Sequence, residues 1–320
     1  MELRHLRYFV ALAYKRHFTR AAEELAIAQP ALSQQIQSLE REFGVRLFER
    51  TSRAIRLTPA GEALLVHAER VLADIEHIQA EMQAFAGLAR GRLRIGLLPS
   101  IGTYWLSGLL ARFHTQYEGI EIVLHEDVTD SLLEQLVKGT LDVAWMHTIG
   151  TVFPKALPDK QIETIAVFTE PLVLGVAPQH RLAQYQRVHM TDLQTEEFIV
   201  FKPGSGLRQT VMYMAQQADF VPRVIFESGD ISSIRALVAE GVGISVFPQS
   251  TLHSPGKTII PLTVQPTLPQ RTILLAWHRQ RASSPGIKAF LAFFREDIAA
   301  HPWAPATDDG KSSIAKRHNL

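Results

Sequence analysis

Not one of the 320 residues is cysteine. That excludes a disulfide framework and any thiolate chemistry, redox or metal-binding, and it fits a reducing compartment. No apolar run is long enough for a membrane-spanning helix, and the start MELRHLRYF lacks the apolar stretch and small-residue cleavage site of a signal peptide. A cytoplasmic location is therefore the expectation. Net charge is nearly absent as well, +1 overall, but it is unevenly spread. Residues 1–60 carry ten Lys or Arg against six Asp or Glu, whereas the other 260 carry 23 against 26. An excess this small, taken alone, is more often a solvated surface than a nucleic-acid footprint. What is present is core material: 46% of residues are hydrophobic and 20% charged, in a chain long enough for two or three domains.

Leu3, Leu6, Phe9, Val10 and Ala13 recur at helical spacing and predict an amphipathic helix ending near Tyr14–Arg16. Thr19 is placed to cap a short Ala-rich helix from Arg20 to Leu25. Pro30 suits the first turn of a third helix, which Gly44 would end after Phe43. Three short helices with a tight connection at Ala26–Gln29 form a helix-turn-helix pattern. VRLFERTSRAIRLT then alternates β-branched and basic residues, as a small two-stranded wing would. Thr58-Pro59 opens a helix to about Leu88, along which Leu64, Ala68, Val71, Ile75, Ile78, Met82 and Phe85 keep a heptad spacing. Such a seam needs a cover, either its own domain or a second copy of the chain, and the 3.5-residue period favours the copy.

GLARGRL, Gly87 to Leu93, reads as a hinge. Beyond it, strand-like LRIGLL, IEIVLHE and LDVAWMH alternate with helices from about Tyr104 to Tyr117 and from Ser131 to Lys138. This is the order of a parallel, doubly wound α/β sheet. Two strands meet at Glu170-Pro171. FIVF, a helix from Leu207 to Ala218, RVIFES, a helix from Ile231 to Glu240, and GISVFP repeat the theme, and RTILLAWH and IKAFLAFFREDIAA close it. Two similar α/β halves imply a cleft where strand ends and helix N-termini converge.

On the third predicted helix, Leu32, Ile36, Leu39 and Phe43 fall on one side and should face the core. Opposite lie Pro30, Ser33, Gln34, Gln37 and Arg41, with no acid among them, and Gln29 precedes them at the helix start. Amides and hydroxyls match base edges and phosphates, Arg41 can neutralise a phosphate, and acids would be repelled by DNA. Standing alone, the same five would be ordinary surface residues. In the α/β part, Ser100 and Thr129 follow consecutive strands and precede helices, where hydroxyls and free helix N–H groups hold an anion or simply cap a helix. FKPGSGLR offers Lys202, Ser205 and Arg208 from the other half, as positive charge and hydrogen bonds for the cleft or as solvent-facing groups. Its GSG is no nucleophile elbow, and GVG near residue 242 is no nucleotide fingerprint. The 13 histidines are scattered, so no metal and no cofactor are expected. Trp105 and Trp145 read as core or cleft-wall aromatics.

RHLRYFVALA, FTRAAEELAIAQPALSQQIQSLEREFGVRLFER and RLTPAGEALL together resemble the N-terminal domain of LysR-type transcriptional regulators, over about 65 residues without gaps. MELRHLRYFVA and AQPALSQQIQ are similar to the branch controlling aromatic-compound degradation. The resemblance implies base or backbone contacts for Gln29, Pro30, Ser33 and Gln34 and a minor-groove approach for Arg53 in the wing. Gln34 stands where relatives often carry arginine, and Ala26 where other helix-turn-helix turns carry glycine. It further implies a coinducer cleft in which Ser100 and Thr129 hold carboxylates, with Phe201, Pro203, Gly204, Ser228 and Pro248 around them.

The expected organisation is a winged helix-turn-helix at 1–58, a linker helix at 59–88 and a two-lobed, periplasmic-binding-protein-like α/β domain at 89–301. Lobe I is expected at about 92–162 and 268–301 and lobe II at about 163–267, followed by a disordered tail, 302–320. The function this implies is a non-enzymatic regulator. Its partners would be double-stranded promoter DNA, a small aromatic or muconate-like carboxylate, a second copy through the linker helix, a homotetramer, and RNA polymerase. A solute-binding receptor, or an enzyme using Ser100 as nucleophile, are the competing readings of the α/β part.

Overall fold

A computed structural model describes residues 1–50, 55–85, 91–101, 106–150, 161–253 and 256–301. At the N-terminus α1 (Leu3–Lys15), α2 (Phe18–Glu24) and α3 (Gln29–Phe43) pack around Leu6, Phe9, Leu12, Leu32, Ile36 and Leu39, all buried. Burial of each is worth about 1.5–3 kcal/mol relative to exposure. Antiparallel strands β1 (Phe48–Arg50) and β2 (Ile55–Leu57) form the wing. Two local expectations change. Arg16 turns the chain in the left-handed region (φ 51°), so α2 begins at Phe18 with His17 in the cap position and Thr19 already inside the first turn. Phe43 is 42% exposed rather than in the core: α3 ends at Gly44, and Leu47 and Phe48 just beyond that turn are buried in its stead.

The linker α4 (Pro59–Phe85) has 27 residues, about 40 Å at 1.5 Å per residue. Thr58 caps it, its Oγ1 accepting from the Gly61 N–H at 3.0 Å. The heptad seam divides: Leu64 and Ala68 pack onto the N-terminal core, while Val71, Ile78 and Met82 are exposed. The end of the linker and most of the glycine hinge, residues 86–90, lie outside the described residues, as does the tail from 302.

The chain then runs through β3 (Gly91–Leu97), α5 (Ser107–Gln116), β4 (Ile120–Glu126), α6 (Thr129–Lys138), β5 (Val143–Ile149) and β6 (Ile162–Glu170). It crosses to β7 (Leu172–Val176), β8 (Arg187–His189), β9 (Glu197–Phe201), α7 (Gly206–Gln217), β10 (Arg223–Ser228), α8 (Ile231–Ala239), β11 (Ser245–Pro248) and β12 (Ile260–Gln265). It returns with β13 (Arg271–His278) and α9 (Pro285–Ala300). The first lobe is a sheet in the order β4-β3-β5-β13-β6, with β3, β4 and β5 parallel and β13 antiparallel to both neighbours. β6 pairs with β13 as far as Glu170, so the lobe boundary expected near residue 163 falls at Pro171, which has no N–H to continue the ladder.

The second lobe is not a copy of the first. Its sheet, β11-β7-β12-β8, is antiparallel around β7, and the parallel pair β10-β9 joins it through a bridge from Phe198 to Ile244. Each lobe has its own apolar core. Trp145 belongs to the first, fully buried with its ring 5.2 Å from that of Phe294, and is not a cleft wall; Trp105 lies outside the described residues. Among the described residues no helix is long and apolar enough to cross a membrane.

Candidate functional site

Two surfaces carry the chemistry. On α3, Gln29, Pro30, Gln34, Gln37 and Arg41 are exposed and Ser33 half-buried, on the face opposite Leu32, Ile36 and Leu39. The two acids of this helix are engaged elsewhere. Glu40 Oε1 accepts from the N–H groups of Leu47 (2.9 Å) and Phe48 (3.2 Å), tying α3 to the wing. Glu42 pairs with the terminal amine of Met1 at 2.6 Å. Arg41 donates to the Gln37 carbonyl of its own helix at 3.4 Å. Ala26, in the turn before α3, holds φ 52°, a left-handed conformation that would suit glycine better. Arg53, expected in the wing, lies outside the described residues.

The second surface is a small pocket of about 20 Å³ between the lobes, where the first lobe supplies Ser100, Thr129 and His147 and the second supplies Phe201, Lys202 and Gly206. Ser100 and Thr129 lie on consecutive strand-to-helix turns, and Val128, not Thr129, holds the cap position of α6. Thr129 is 8% exposed and its Oγ1 has no hydrogen-bond partner. Ser100 Oγ accepts from Arg271 at 2.6 Å. Arg271 is fully buried and also pairs with Glu170 at 2.6 Å. The other Glu170 oxygen accepts from the Ser250 N–H at 2.9 Å. The pair therefore sits where β6 leaves the first lobe and β13 re-enters it, hydrogen-bonded to Ser100 on one side and to Ser250 on the other. Burial pulls the Arg271 pKa down, against the charge and hydrogen bonds of Glu170; a guanidinium stays protonated even so.

Of the residues expected here, Ser100, Thr129, Phe201 and Lys202 come together. Four do not line the pocket. Pro203 and Gly204 are exposed in the loop before α7. Ser228 is occupied by local bonds, its Oγ accepting from the Asp230 N–H (3.1 Å) and its carbonyl from the Lys202 N–H (2.9 Å). Pro248 is buried at the end of β11 opposite Leu172. Arg208 points away to Glu227 at 2.6 Å.

His147, which no sequence motif marks, also lines the pocket, at 6% exposure with Nδ1 unpartnered. Burial, then the charge of Arg271, holds its pKa down to about 3, so the imidazole is neutral. Asp127, which faces Lys202 at 3.6 Å, is likewise unmarked by any motif. Burial alone would raise its pKa, but hydrogen bonds from Ser131 Oγ and the Val128 N–H and the charge of Lys202 outweigh it. A signal for both was available: a histidine inside the apolar run LDVAWMHTI, and an acid immediately ahead of a helix. Among the described residues no three His, Asp or Glu cluster as metal ligands would.

Comparison with known proteins gives these surfaces a context. Residues 3–62 match the bacterial regulatory helix-turn-helix protein, lysR family, and residues 86–299 match the LysR substrate binding domain. The chain belongs to the LysR family of transcriptional regulators. Among LysR proteins, the transcriptional dual regulator GltC of Bacillus subtilis is 31% identical over 294 residues, 92% of this chain and 96% of GltC. A hydrogen peroxide-inducible genes activator of Dickeya chrysanthemi is 36% identical over 249 residues, 78% of this chain and 79% of that protein. The structure of full-length CbnR complexed with its target DNA superposes with a TM-score of 0.64 at 26% identity, covering 92% of this chain and 99% of CbnR. The LysR assignment accounts for the winged head, the long linker and the two-lobed α/β domain in one chain.

Proposed function

We propose that this LysR regulator binds an interrupted palindrome in double-stranded promoter DNA as a homodimer, and that a small carboxylate in the cleft sets the affinity or bend of that complex. The observation that carries the DNA reading is the acid-free outer face of α3. Gln29, Pro30, Ser33 and Gln34 would meet bases in the major groove, Gln37 and Arg41 phosphates, and Arg53 the minor groove. For the dimer, the support is the exposed stripe Val71, Ile78 and Met82 on α4, apolar at coiled-coil spacing; a homotetramer and contact with RNA polymerase complete the assembly we propose. Its location would be cytoplasmic.

The cleft ligand we propose is an aromatic acid or a muconate-like diacid, held by Ser100, Thr129, Phe201 and Lys202, with Pro203, Gly204, Ser228 and Pro248 as the framework behind them. Supporting a ligand here are two buried polar atoms without partners, Thr129 Oγ1 and His147 Nδ1; such atoms are costly to leave unsatisfied. A response through thiol oxidation has no cysteine to work with in this chain. Nor does Ser100 suit a nucleophile, because its hydroxyl oxygen accepts from a guanidinium, which cannot serve as a general base. Gel-shift and footprinting on the promoter region, with and without candidate acids, test the proposal. Arg41→Ala should weaken binding on all sequences and lower the salt slope by about 1, while Gln29→Ala should relax specificity. Acid binding that leaves the footprint unchanged would remove the coupling.

A further inference from the structure

We infer that Glu69 is the positioning residue that couples the winged head to the effector domain, holding α1 with one carboxylate oxygen and the end of α6 with the other. The inference rests on the regulator reading above, in which the two parts share one response. Glu69 sits on the linker directly after Ala68 and is only 6% exposed. Acids are almost never buried to this degree without a partner. Its partners come from either side of the linker. Tyr14, near the end of α1, donates its hydroxyl to Oε1. Lys138, the last residue of α6, brings Nζ to 3.7 Å from Oε2. Oε2 has no hydrogen-bond partner among the described residues. At that distance the ammonium is within ion-pair reach but beyond the roughly 2.7–3.2 Å of an N–H···O hydrogen bond. A displacement of less than about 1 Å at the end of α6 therefore makes or loses a charge-assisted hydrogen bond on a buried acid. That is the differential contact any coupling between two arrangements requires.

The elements on each side suit this task. Thr129, at the other end of α6, lines the pocket, and Leu132, Leu133 and Leu136 are buried in the core of the first lobe, so the helix moves with that lobe as one body. Its last turn is held too: Arg281 donates to the Leu136 carbonyl at 3.2 Å, and Gly139 closes the helix with φ 81°. Two further ion pairs join the linker to the first lobe, Asp74 with Arg281 at 3.2 Å and Glu76 with Arg94. Both acids are half-exposed, where water replaces a lost partner at little cost. Glu69 differs because it is buried, and a partner lost there is not replaced. Towards the head, the Tyr14 hydroxyl is pushed up to about 12, by burial first and then by the hydrogen bond and charge of Glu69, so it remains a donor.

The test is a double-mutant cycle on the full-length protein, read as affinity for the promoter fragment with no ligand added. Lys138→Met and Tyr14→Phe each remove one hold on Glu69, and they are made singly and together. Lys138→Met should change promoter affinity about three- to tenfold, and that change should vanish in the Tyr14→Phe background, the non-additivity of residues that share a partner. Lys138→Arg, which keeps the charge and can reach Oε2, should retain the wild-type affinity; a residue that only stabilises the fold would give no such pattern. Should Lys138→Met melt far below wild type, Glu69→Gln carries the same comparison, since it keeps an acceptor for Tyr14 and loses the charge that faces Lys138. Additive effects, an affinity unmoved by Lys138→Met, or no rescue by Lys138→Arg overturns the inference, and an intact wild-type footprint then leaves the regulator standing. A wild-type protein that gives no footprint overturns the regulator reading itself, and the inference with it.

Discussion

Gly206 is the position where a single methyl group has the clearest consequence. Its backbone is ordinary for the first turn of a helix, and alanine is the better helix former there by up to about 1 kcal/mol. Yet the added Cβ would stand 2.5 Å from His147 Nε2 and 3.2 Å from Ile149 Cδ1. Gly206→Ala should therefore leave the far-ultraviolet circular dichroism and melting temperature of the free protein near wild type while abolishing the thermal shift produced by a bound acid. A variant that still responds to the acid would show that the imidazole moves aside cheaply. At this scale the sequence was half legible. Ser100 and Thr129 stood out because hydroxyls after strands are simple to recognise, and Phe201 and Lys202 came with the family resemblance and the basic loop. His147 was hidden inside an apolar strand, and Arg271 and Glu170 lie about a hundred residues apart in sequence, so only the folded sheet makes them a pair.

Among the elements, α5 and α9 are clamped together by Arg112, whose Nε and second terminal nitrogen donate to the two oxygens of Asp297 at 2.6 and 2.7 Å. Those hydrogen bonds, opposed by burial and aided by the charge of Arg112, hold the Asp297 carboxyl below its usual range. A folded-state pKa lowered in this way gives stability that is complete above the unfolded value, about 3.9, and lost as pH falls through the folded value. Asp297→Asn should cost roughly 1.5–3 kcal/mol at neutral pH, and its melting temperature should converge on that of the wild type as pH falls through the lowered folded-state value. A difference that persists undiminished in acid would assign the loss to packing instead. The other informative element is α6. Its first residue lines the pocket, and its last, Lys138, lies 3.7 Å from Glu69 on the linker, which in turn accepts a hydrogen bond from Tyr14 of α1. Arg281 binds the same end of α6, donating to the Leu136 carbonyl at 3.2 Å and to Asp74 of the linker at 3.2 Å. Lys138→Ala removes a half-exposed ion pair worth under about 1 kcal/mol, so acid binding should persist while the change in footprint on adding acid shrinks. An unaltered footprint response would rule out α6 as the route. Element boundaries were readable where a cap or glycine marked them, as at Thr58 and Gly44; they failed at Thr19, where the left-handed turn of Arg16 leaves no mark in composition.

Across the whole molecule, the alternation of strands and helices sufficed to place a two-lobed α/β domain behind a winged head, because each lobe buries its own apolar runs. What the periodicity did not contain was the long-range pairing: β13 inserts between β5 and β6, and β7 rather than a parallel neighbour centres the second sheet. The stripe Val71, Ile78 and Met82 makes its prediction at this scale too. Ile78→Glu should place like charges across a paired seam, shifting sedimentation at fixed protein concentration from dimer or larger towards monomer, with helicity retained. An unchanged sedimentation coefficient would move the interface elsewhere. The ties of α6 to the linker carry one more implication, thermodynamic rather than mechanical. If the cleft and the winged head share one equilibrium, their coupling is reciprocal, and each ligand must change the affinity of the other by the same factor, typically about 5–150-fold. The operator is then itself an effector of the cleft: chains resting on promoter and chains free of it hold the acid with different affinities, and the concentration at which the regulator responds is set partly by the DNA on which it sits.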